Sequence, residues 1–287
     1  MKPENLKTKI FLDSGDPAET KLVLEKLGWL DGQTTNPSLV AKNPEAQKRL
    51  ASGNKFTKQE INDFYKSVIT EISAMIPDGS VSIEVYADKD TKAEDMINEG
   101  RQMNSWISDA HIKLPITFEG LKAAETLTGE GIRVNMTLCF SQEQGAAVYT
   151  ATRSAKKGDV FLSPFIGRLD DIGQNGMSFI ENMHNMFQKS DGHVELLAAS
   201  VRTYEHFKQC LFLGVDLITA PAKILLEWAE NNYAMPEQGY VYNKAEMKDL
   251  DYQEIDLNKD FRDYNIQHDL TDQGIEKFVA DWNNLLQ

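Results

Sequence analysis

Lys113 stands between Ile112 and Leu114, with Pro115 next, in a segment that is otherwise apolar. Burying an ammonium ion is costly unless it is paired or gives up its proton. Desolvation favours the neutral amine, and a neutral amine attacks carbonyl carbon. The competing reading is a lysine paired structurally to a carboxylate in the same interior. Two acids occupy comparable places: Asp13 closes Ile10-Phe11-Leu12-Asp13, and Glu84 lies within Ile83-Glu84-Val85. Schiff-base chemistry moves protons as a carbinolamine forms, as water leaves, and as a carbon–carbon bond breaks next to a deprotonated hydroxyl. Two carboxylates around one amine can supply those transfers. Each also has a structural alternative. Asp13 could cap the next helix, although Asp16 is better placed, and Glu84 could simply neutralise Lys113.

Further polar residues interrupt apolar runs in the same manner. They include Thr34-Thr35-Asn36-Pro37-Ser38, Val134-Asn135-Met136-Thr137, Leu162-Ser163-Pro164-Phe165 and Ala199-Ser200-Val201-Arg202. Asn36 before Pro37 is also a good helix start. Asn135, Thr137 and Ser163 could equally satisfy backbone groups. Arg168 and Arg202 suit a phosphate through charge-assisted, bidentate hydrogen bonds. Their alternative is a surface ion pair, since Asp170 and Asp171 follow Arg168 closely. The five histidines are scattered, neither cysteine has metal-ligand spacing, and no metal site is expected. The four tryptophans fit amphipathic helix or helix-end positions, as core rather than ligand platforms.

These residues need elements to hold them. Short, continuously apolar runs at 9–12, 81–85, 111–116, 132–140, 160–165, 194–199 and 215–220, with a weaker run ending Leu30-Asp31-Gly32-Gln33-Thr34, read as strands buried on both faces. Between them lie helical patterns. Ile61, Phe64, Tyr65, Val68, Ile69, Ile72, Met75 and Ile76 repeat at 3–4 spacing, as do Phe179, Ile180, Met183, Met186 and Phe187. Asp16-Pro17 with Glu19, and Ser141 with Gln144, carry helix-start signals of the capping-box kind. Eight strands alternating with helices fit an open doubly wound sheet or a closed (β/α)8 barrel. No Gly-x-Gly-x-x-Gly or P-loop follows any strand, and the count and length favour the α/β barrel, a TIM barrel. Residues 1–230 are assigned to it. Residues 231–287 form a C-terminal helical extension docked on the barrel in the same domain. Its segment 235–268 is polar and aperiodic; Ile275, Phe278, Val279, Trp282, Leu285 and Leu286 then mark one face of a closing helix.

The chain's 287 residues are 41 % hydrophobic and 9 % aromatic, too apolar for a disordered chain. Acidic residues outnumber basic ones 44 to 30, for a net charge of -14. A nucleic-acid partner is not expected at that charge, and any phosphate site must be built locally against the overall field. No apolar run approaches the ~18 residues of a membrane helix, and no signal-peptide core is visible, so no membrane association is expected. Two cysteines without a disulfide framework suit a reducing, cytoplasmic setting.

Taken in order, seven phrases resemble the transaldolase family, class I aldolases of the pentose phosphate pathway. They are Phe11-Leu12-Asp13, Thr34-Thr35-Asn36-Pro37-Ser38, Ser82-Ile83-Glu84-Val85, Ile112-Lys113-Leu114-Pro115-Ile116-Thr117, Val134-Asn135-Met136-Thr137-Leu138, Ser163-Pro164-Phe165-Ile166-Gly167-Arg168 and Ala199-Ser200-Val201-Arg202. The resemblance implies a (β/α)8 barrel that transfers a dihydroxyacetone unit between sugar phosphates. It implies Lys113 as the Schiff-base lysine and Asp13 as the group that takes and returns the C4 hydroxyl proton. Glu84 and Thr137 would handle protons through a water molecule. Asn36, with Thr35 beside it, Asn135 and Ser163 would hold the three-carbon unit, and Arg168, Ser200 and Arg202 the phosphate. The iminium would be the electron sink, so no cofactor is implied. The subunit number stays open, a homo-oligomer included. Transaldolases pass the unit to an aldose phosphate; the family's fructose-6-phosphate aldolases release free dihydroxyacetone. The latter typically carry Gln and Tyr where this chain has Glu84 and Phe165, so the resemblance favours transfer. A sugar-phosphate-binding barrel without turnover is the alternative of another class. The chain is shorter than the best-known transaldolases, and 235–268 has no evident counterpart in the family.

Overall fold

Strands buried on both faces must lie in a sheet covered by helices, and closing that sheet removes its edges. In the computed structural model, which describes residues 2–287, eight parallel strands close in chain order. They are β1 (Lys9–Asp13), β2 (Gly32–Thr34), β3 (Ser80–Glu84), β4 (Ala110–Pro115), β5 (Val134–Cys139), β6 (Val160–Pro164), β7 (Val194–Ala198) and β8 (Leu217–Ala220). β1 pairs with β8 through Ile10 opposite Ile218, completing the TIM barrel expected from the sequence. All eight apolar runs are strands, with ends shifted by a residue or two; 132–140 narrows to β5.

The first half of the helical layer holds α1 (Pro17–Leu27), α2 (Pro37–Ala41), α3 (Pro44–Ala51), α4 (Lys58–Met75), α5 (Ala93–Asn104) and α6 (Phe118–Gly129). The second half holds α7 (Gln142–Ala151), α8 (Ile166–Asp170), α9 (Gly176–Phe187), α10 (Tyr204–Leu213) and α11 (Ala222–Glu230), and α12 (Asp269–Asn283) follows the barrel. Their starts obey local chemistry. Asp16 Oδ1 accepts from Ala18 N at 2.9 Å with Pro17 in the first turn. Ser141 and Gln144 satisfy each other's backbone N–H. Glu19 differs from its expected role. Its carboxylate holds the Ser14 hydroxyl, and that hydroxyl accepts from Asp16 N at 3.1 Å. Ser14 is thus interposed where Glu19 would otherwise reach the backbone.

Side chains fill the barrel's amino-terminal end. Phe11 meets Phe161 edge-on at 5.7 Å, and the His111 ring stacks on Phe161 at 3.8 Å. His111 Nδ1 lies 2.6 Å from Ser80 Oγ and Nε2 lies 3.0 Å from Gly158 O. Burial among these groups, with the Arg133 charge acting in the same direction, pushes the His111 pKa down to about 3. Packing there leaves the carboxyl-terminal mouth as the open end of the barrel.

Residues 231–268 are irregular apart from a β-bridge between Lys248 and Gln174 and a 3₁₀ turn at Phe261–Asp263. Barrel helices hold them by their backbone: Gln142 Nε2 donates to Gln253 O at 3.0 Å and Asn182 Nδ2 to Leu250 O at 2.8 Å. Gln144 Nε2 reaches both Ile266 O and Thr271 Oγ1. The apolar face of α12 then packs across α2 and the end of β5, burying Ile275, Phe278 and Trp282. Gly274 makes that crossing close. A Cβ there would lie 2.6 Å from Leu138 Cδ2 and 2.7 Å from Arg168 Nη1. Leu138 itself sits at φ 62°, in the left-handed region that bulky residues rarely adopt. Among the described residues no helix is long and apolar enough to cross a membrane.

Candidate active site

The open end of the barrel holds a cavity of about 520 Å³. Asp13, Asn36, Lys113, Ser163, Phe165 and Arg168 line it, together with Ser200 and Arg202. Residues expected from separate strand ends therefore meet at one place. Register explains part of this: Glu84 on β3 pairs with Lys113 on β4, and Lys113 with Asn135 on β5.

Lys113 is 3 % exposed. Its Nζ donates to Thr35 O at 3.1 Å and forms an ion pair with Glu84 Oε2 at 2.9 Å. Burial raises the Glu84 carboxyl above its ordinary value, and the Lys113 charge pulls it partway back. The same two causes, in the same order, act on Asp13, whose Oδ1 also accepts from Thr34 Oγ1 at 2.8 Å. Two carboxyls biased toward protonation thus flank one amine, an arrangement able to give and take protons. Thr137 is wholly buried and, among the described residues, its hydroxyl has no hydrogen-bond partner. A buried hydroxyl without a partner is the kind of group that a bound water satisfies.

Ser163 Oγ donates to Asn135 Oδ1 at 2.7 Å, and Asn135 Nδ2 donates to Ser82 Oγ at 2.9 Å. Of these three, Ser163 lies on the cavity wall, while Asn135 is buried behind it. Asn36 does two things at once: Oδ1 caps α2 through Leu39 N at 2.9 Å, and the residue lines the cavity. Thr35 presents its carbonyl to Lys113, whereas its hydroxyl is turned to Ser82 O and to Tyr65.

At the rim, Arg202 forms a two-pronged ion pair with Asp171, with Nη2 2.8 Å from Oδ2. Arg168 has no ion pair among the described residues; its guanidinium lies 5.5 Å from the Phe165 ring and 5.6 Å from the Phe278 ring. The acids following Arg168 therefore serve other partners, Asp171 pairing Arg202 and Asp170 meeting His206 Nε2 at 3.0 Å. Burial, with Arg202 nearby, lowers Arg168 from its ordinary pKa. Between the two arginines Gly167 N donates to Ser200 O at 3.1 Å, and Ser200 is held at φ 55°.

Lys42, Gln273, Lys277 and Phe278 also line the cavity, and none of them stands out in the sequence as a site residue. Phe278 belongs by its spacing to the core face of α12, yet its ring lies 6.0 Å from Lys113 Nζ. No local pattern distinguishes an apolar residue that covers a site from one that fills a core. Lys42 and Lys277 add positive charge to the mouth of a chain whose net charge is -14.

Fold and site together define an eight-stranded α/β barrel built around a buried lysine–carboxylate pair, with arginines at its rim. The chain belongs to the transaldolase/fructose-6-phosphate aldolase family, which matches residues 10–287. It is 37 % identical over 274 residues to a protein of Maricaulis maris named "Probable transaldolase", covering 96 % of each chain. A protein of the same name from Dinoroseobacter shibae is 40 % identical over 231 residues, covering 80 % of this chain and 92 % of that one. The barrel also resembles 3-hexulose-6-phosphate synthase from Salmonella typhimurium at a TM-score of 0.50, over 78 % of this chain and 99 % of that one; at 10 % identity this likeness concerns the fold alone.

Proposed function

We propose that this protein is a transaldolase, moving a dihydroxyacetone unit from a ketose phosphate to an aldose phosphate through a Schiff base on Lys113. The reaction is sedoheptulose 7-phosphate plus glyceraldehyde 3-phosphate going to erythrose 4-phosphate plus fructose 6-phosphate, a step of the pentose phosphate pathway. The observation that carries this reading is the Lys113 amine, excluded from solvent, 2.9 Å from Glu84, on a cavity wall shared with Asp13. The names of the relatives agree with it.

In this reading Glu84 takes a proton from the ammonium, and the neutral amine adds to C2 of the ketose. Glu84 and Thr137, through a water, protonate the carbinolamine oxygen, and water leaves as the iminium forms. Asp13 then removes the proton of the C4 hydroxyl. The C3–C4 bond breaks, its electrons pass into the iminium to give an enamine, and an aldose phosphate departs. An acceptor aldehyde enters; the enamine carbon bonds to its carbonyl carbon, and Asp13 returns the proton to the new hydroxyl. Water hydrolyses the iminium and frees Lys113. Asn36 and Ser163 orient the hydroxyls of the three-carbon unit, Asn135 fixes Ser163 from behind the wall, and Arg168, Ser200 and Arg202 hold the phosphate. Phe165, only 7 % exposed and edge-on to Phe140 at 5.9 Å, brings no hydroxyl to the enamine. The enamine therefore waits for an acceptor, which favours transfer over release of dihydroxyacetone.

Incubation with fructose 6-phosphate, reduction with borohydride and peptide mass spectrometry test the chemistry. A sugar-derived adduct on Lys113 is expected, and an unmodified Lys113 under turnover conditions overturns the reading. Assays with and without erythrose 4-phosphate then separate the branches. Cleavage that depends on the acceptor is expected; dihydroxyacetone released without acceptor assigns the aldolase activity instead.

A further inference from the structure

Tyr65 belongs to α4, outside the barrel, yet its hydroxyl reaches the residues that hold Lys113. The hydroxyl accepts from Glu84 N at 2.9 Å and lies 2.7 Å from Thr35 Oγ1. Thr35 Oγ1 donates its own proton to Ser82 O at 2.8 Å. With that proton committed, the Tyr65 hydroxyl is the donor to Thr35. A directed relay results: Glu84 N–H to Tyr65, Tyr65 O–H to Thr35, Thr35 O–H to the Ser82 carbonyl. Every hydroxyl in it gives one hydrogen bond and receives one, which is what a buried network requires.

The relay joins the two residues that Lys113 touches. Its Nζ contacts Glu84 Oε2 and the Thr35 carbonyl and has no other hydrogen-bond partner among the described residues. The Tyr65 ring cannot drift. It is 1 % exposed and lies edge-on to Trp106 at 5.8 Å and to Trp282 of α12 at 5.6 Å. A tyrosine whose only task were to fill space would not need its oxygen at the junction of β2 and β3.

We propose that Tyr65 is a positioning residue for Lys113, setting the separation of Glu84 and Thr35 through its hydroxyl. The proposal rests on the Schiff-base reading of Lys113. Removing the oxygen leaves the buried Glu84 N–H without an acceptor and lets β3 shift against β2. Reacting groups held a fraction of an ångström out of place lose rate rather than affinity.

The test compares wild type, Tyr65→Phe, Thr35→Val and a control, Ile69→Val, which trims the core face of the same helix without touching the relay. For Tyr65→Phe, kcat and the rate of borohydride trapping on Lys113 are expected to fall about tenfold or more, with KM for fructose 6-phosphate changed less than about twofold. Thr35→Val, which cuts the relay at its middle, should behave alike and replaces Tyr65→Phe if that variant does not fold. Ile69→Val should lower the melting temperature and leave kcat and trapping unchanged. An adduct in wild type with equally fast trapping in Tyr65→Phe, or in its substitute, overturns the positioning role alone. Equal rate losses in the Ile69→Val control overturn it too, by reducing it to general stability. No adduct in wild type overturns the reading of Lys113 and the role of Tyr65 with it.

Discussion

Arg202 is clasped by Asp171 at the rim of the cavity, both side chains about half exposed, while the neighbouring Arg168 keeps no acidic partner among the described residues. Exposed pairs of this kind contribute little, about 0–1 kcal/mol. On the proposed function, a substrate phosphate would displace Asp171 from Arg202 at small cost.

Asp171→Asn removes that competition. KM for fructose 6-phosphate should fall about two- to fivefold, the equivalent of losing a competing surface pair, with kcat unchanged. Steady-state kinetics at low and high salt check it. A KM that rises instead would mean that Asp171 orients Arg202 more than it restrains it.

At Lys113 the chemistry and the stability separate. Lys113→Arg keeps a cation beside Glu84 and should fold while losing all adduct formation. Lys113→Met removes the cation, and the buried Glu84 carboxyl, already raised by burial, rises further. Below the ordinary glutamate value of 4.5 both folded and unfolded carboxyls are protonated, and the variant escapes the penalty. As pH climbs past that value the unfolded carboxyl ionises first and both proteins lose stability alike; once the raised wild-type carboxyl ionises as well, only the variant's stays protonated, and stability relative to wild type should then fall by about 1.4 kcal/mol per pH unit. Urea unfolding from pH 4 to pH 8 reads the slope; a flat difference would exclude a buried, uncompensated Glu84.

Gly274→Ala sets two effects against each other. Alanine in a helix is worth about 0.5–1 kcal/mol over glycine. Its methyl group would sit 2.6 Å from Leu138 Cδ2 and 2.7 Å from Arg168 Nη1, and overpacking costs about 1–3 kcal/mol. The clash outweighs the gain in helix propensity, so the variant should unfold at lower urea. Displacing Arg168 should also raise KM. Unfolding and kinetics on one preparation check both, and a more stable variant would contradict the close crossing.

His111 gives the wild type its own acid limb. Folded, its pKa is about 3 against an ordinary 6.5, so the imidazole is neutral where the unfolded chain would be protonated. The associated stability is complete above pH 6.5 and should be lost as pH falls toward 3, at about 1.4 kcal/mol per unit. His111→Phe is expected to flatten that limb whatever it does to absolute stability. Equal slopes in the two proteins would assign the acid limb to other groups.

Much of this was legible in the sequence because burial on both faces leaves a plain mark. β1 to β8 announce themselves as apolar runs, and Lys113, Asp13 and Glu84 stand out as charges where none should be tolerated. What escaped was set by contacts distant in the chain. Tyr65 reads as one more member of an apolar stripe, because periodicity records which face a residue occupies and not where its oxygen points. Phe278 and Lys277 are brought to the mouth by α12, which crosses β5 at Gly274. The pairing of Asp171 with Arg202 rather than Arg168 likewise depends on how the segments after β6 and β7 meet in space.

α12 is made only after all eight strands have been, yet it carries an aromatic ring that faces Lys113. During synthesis the barrel can close while its amine still stands open to water and to any passing aldehyde. On the reading proposed for Lys113, the last part of its cover is therefore laid by the segment that the ribosome makes last.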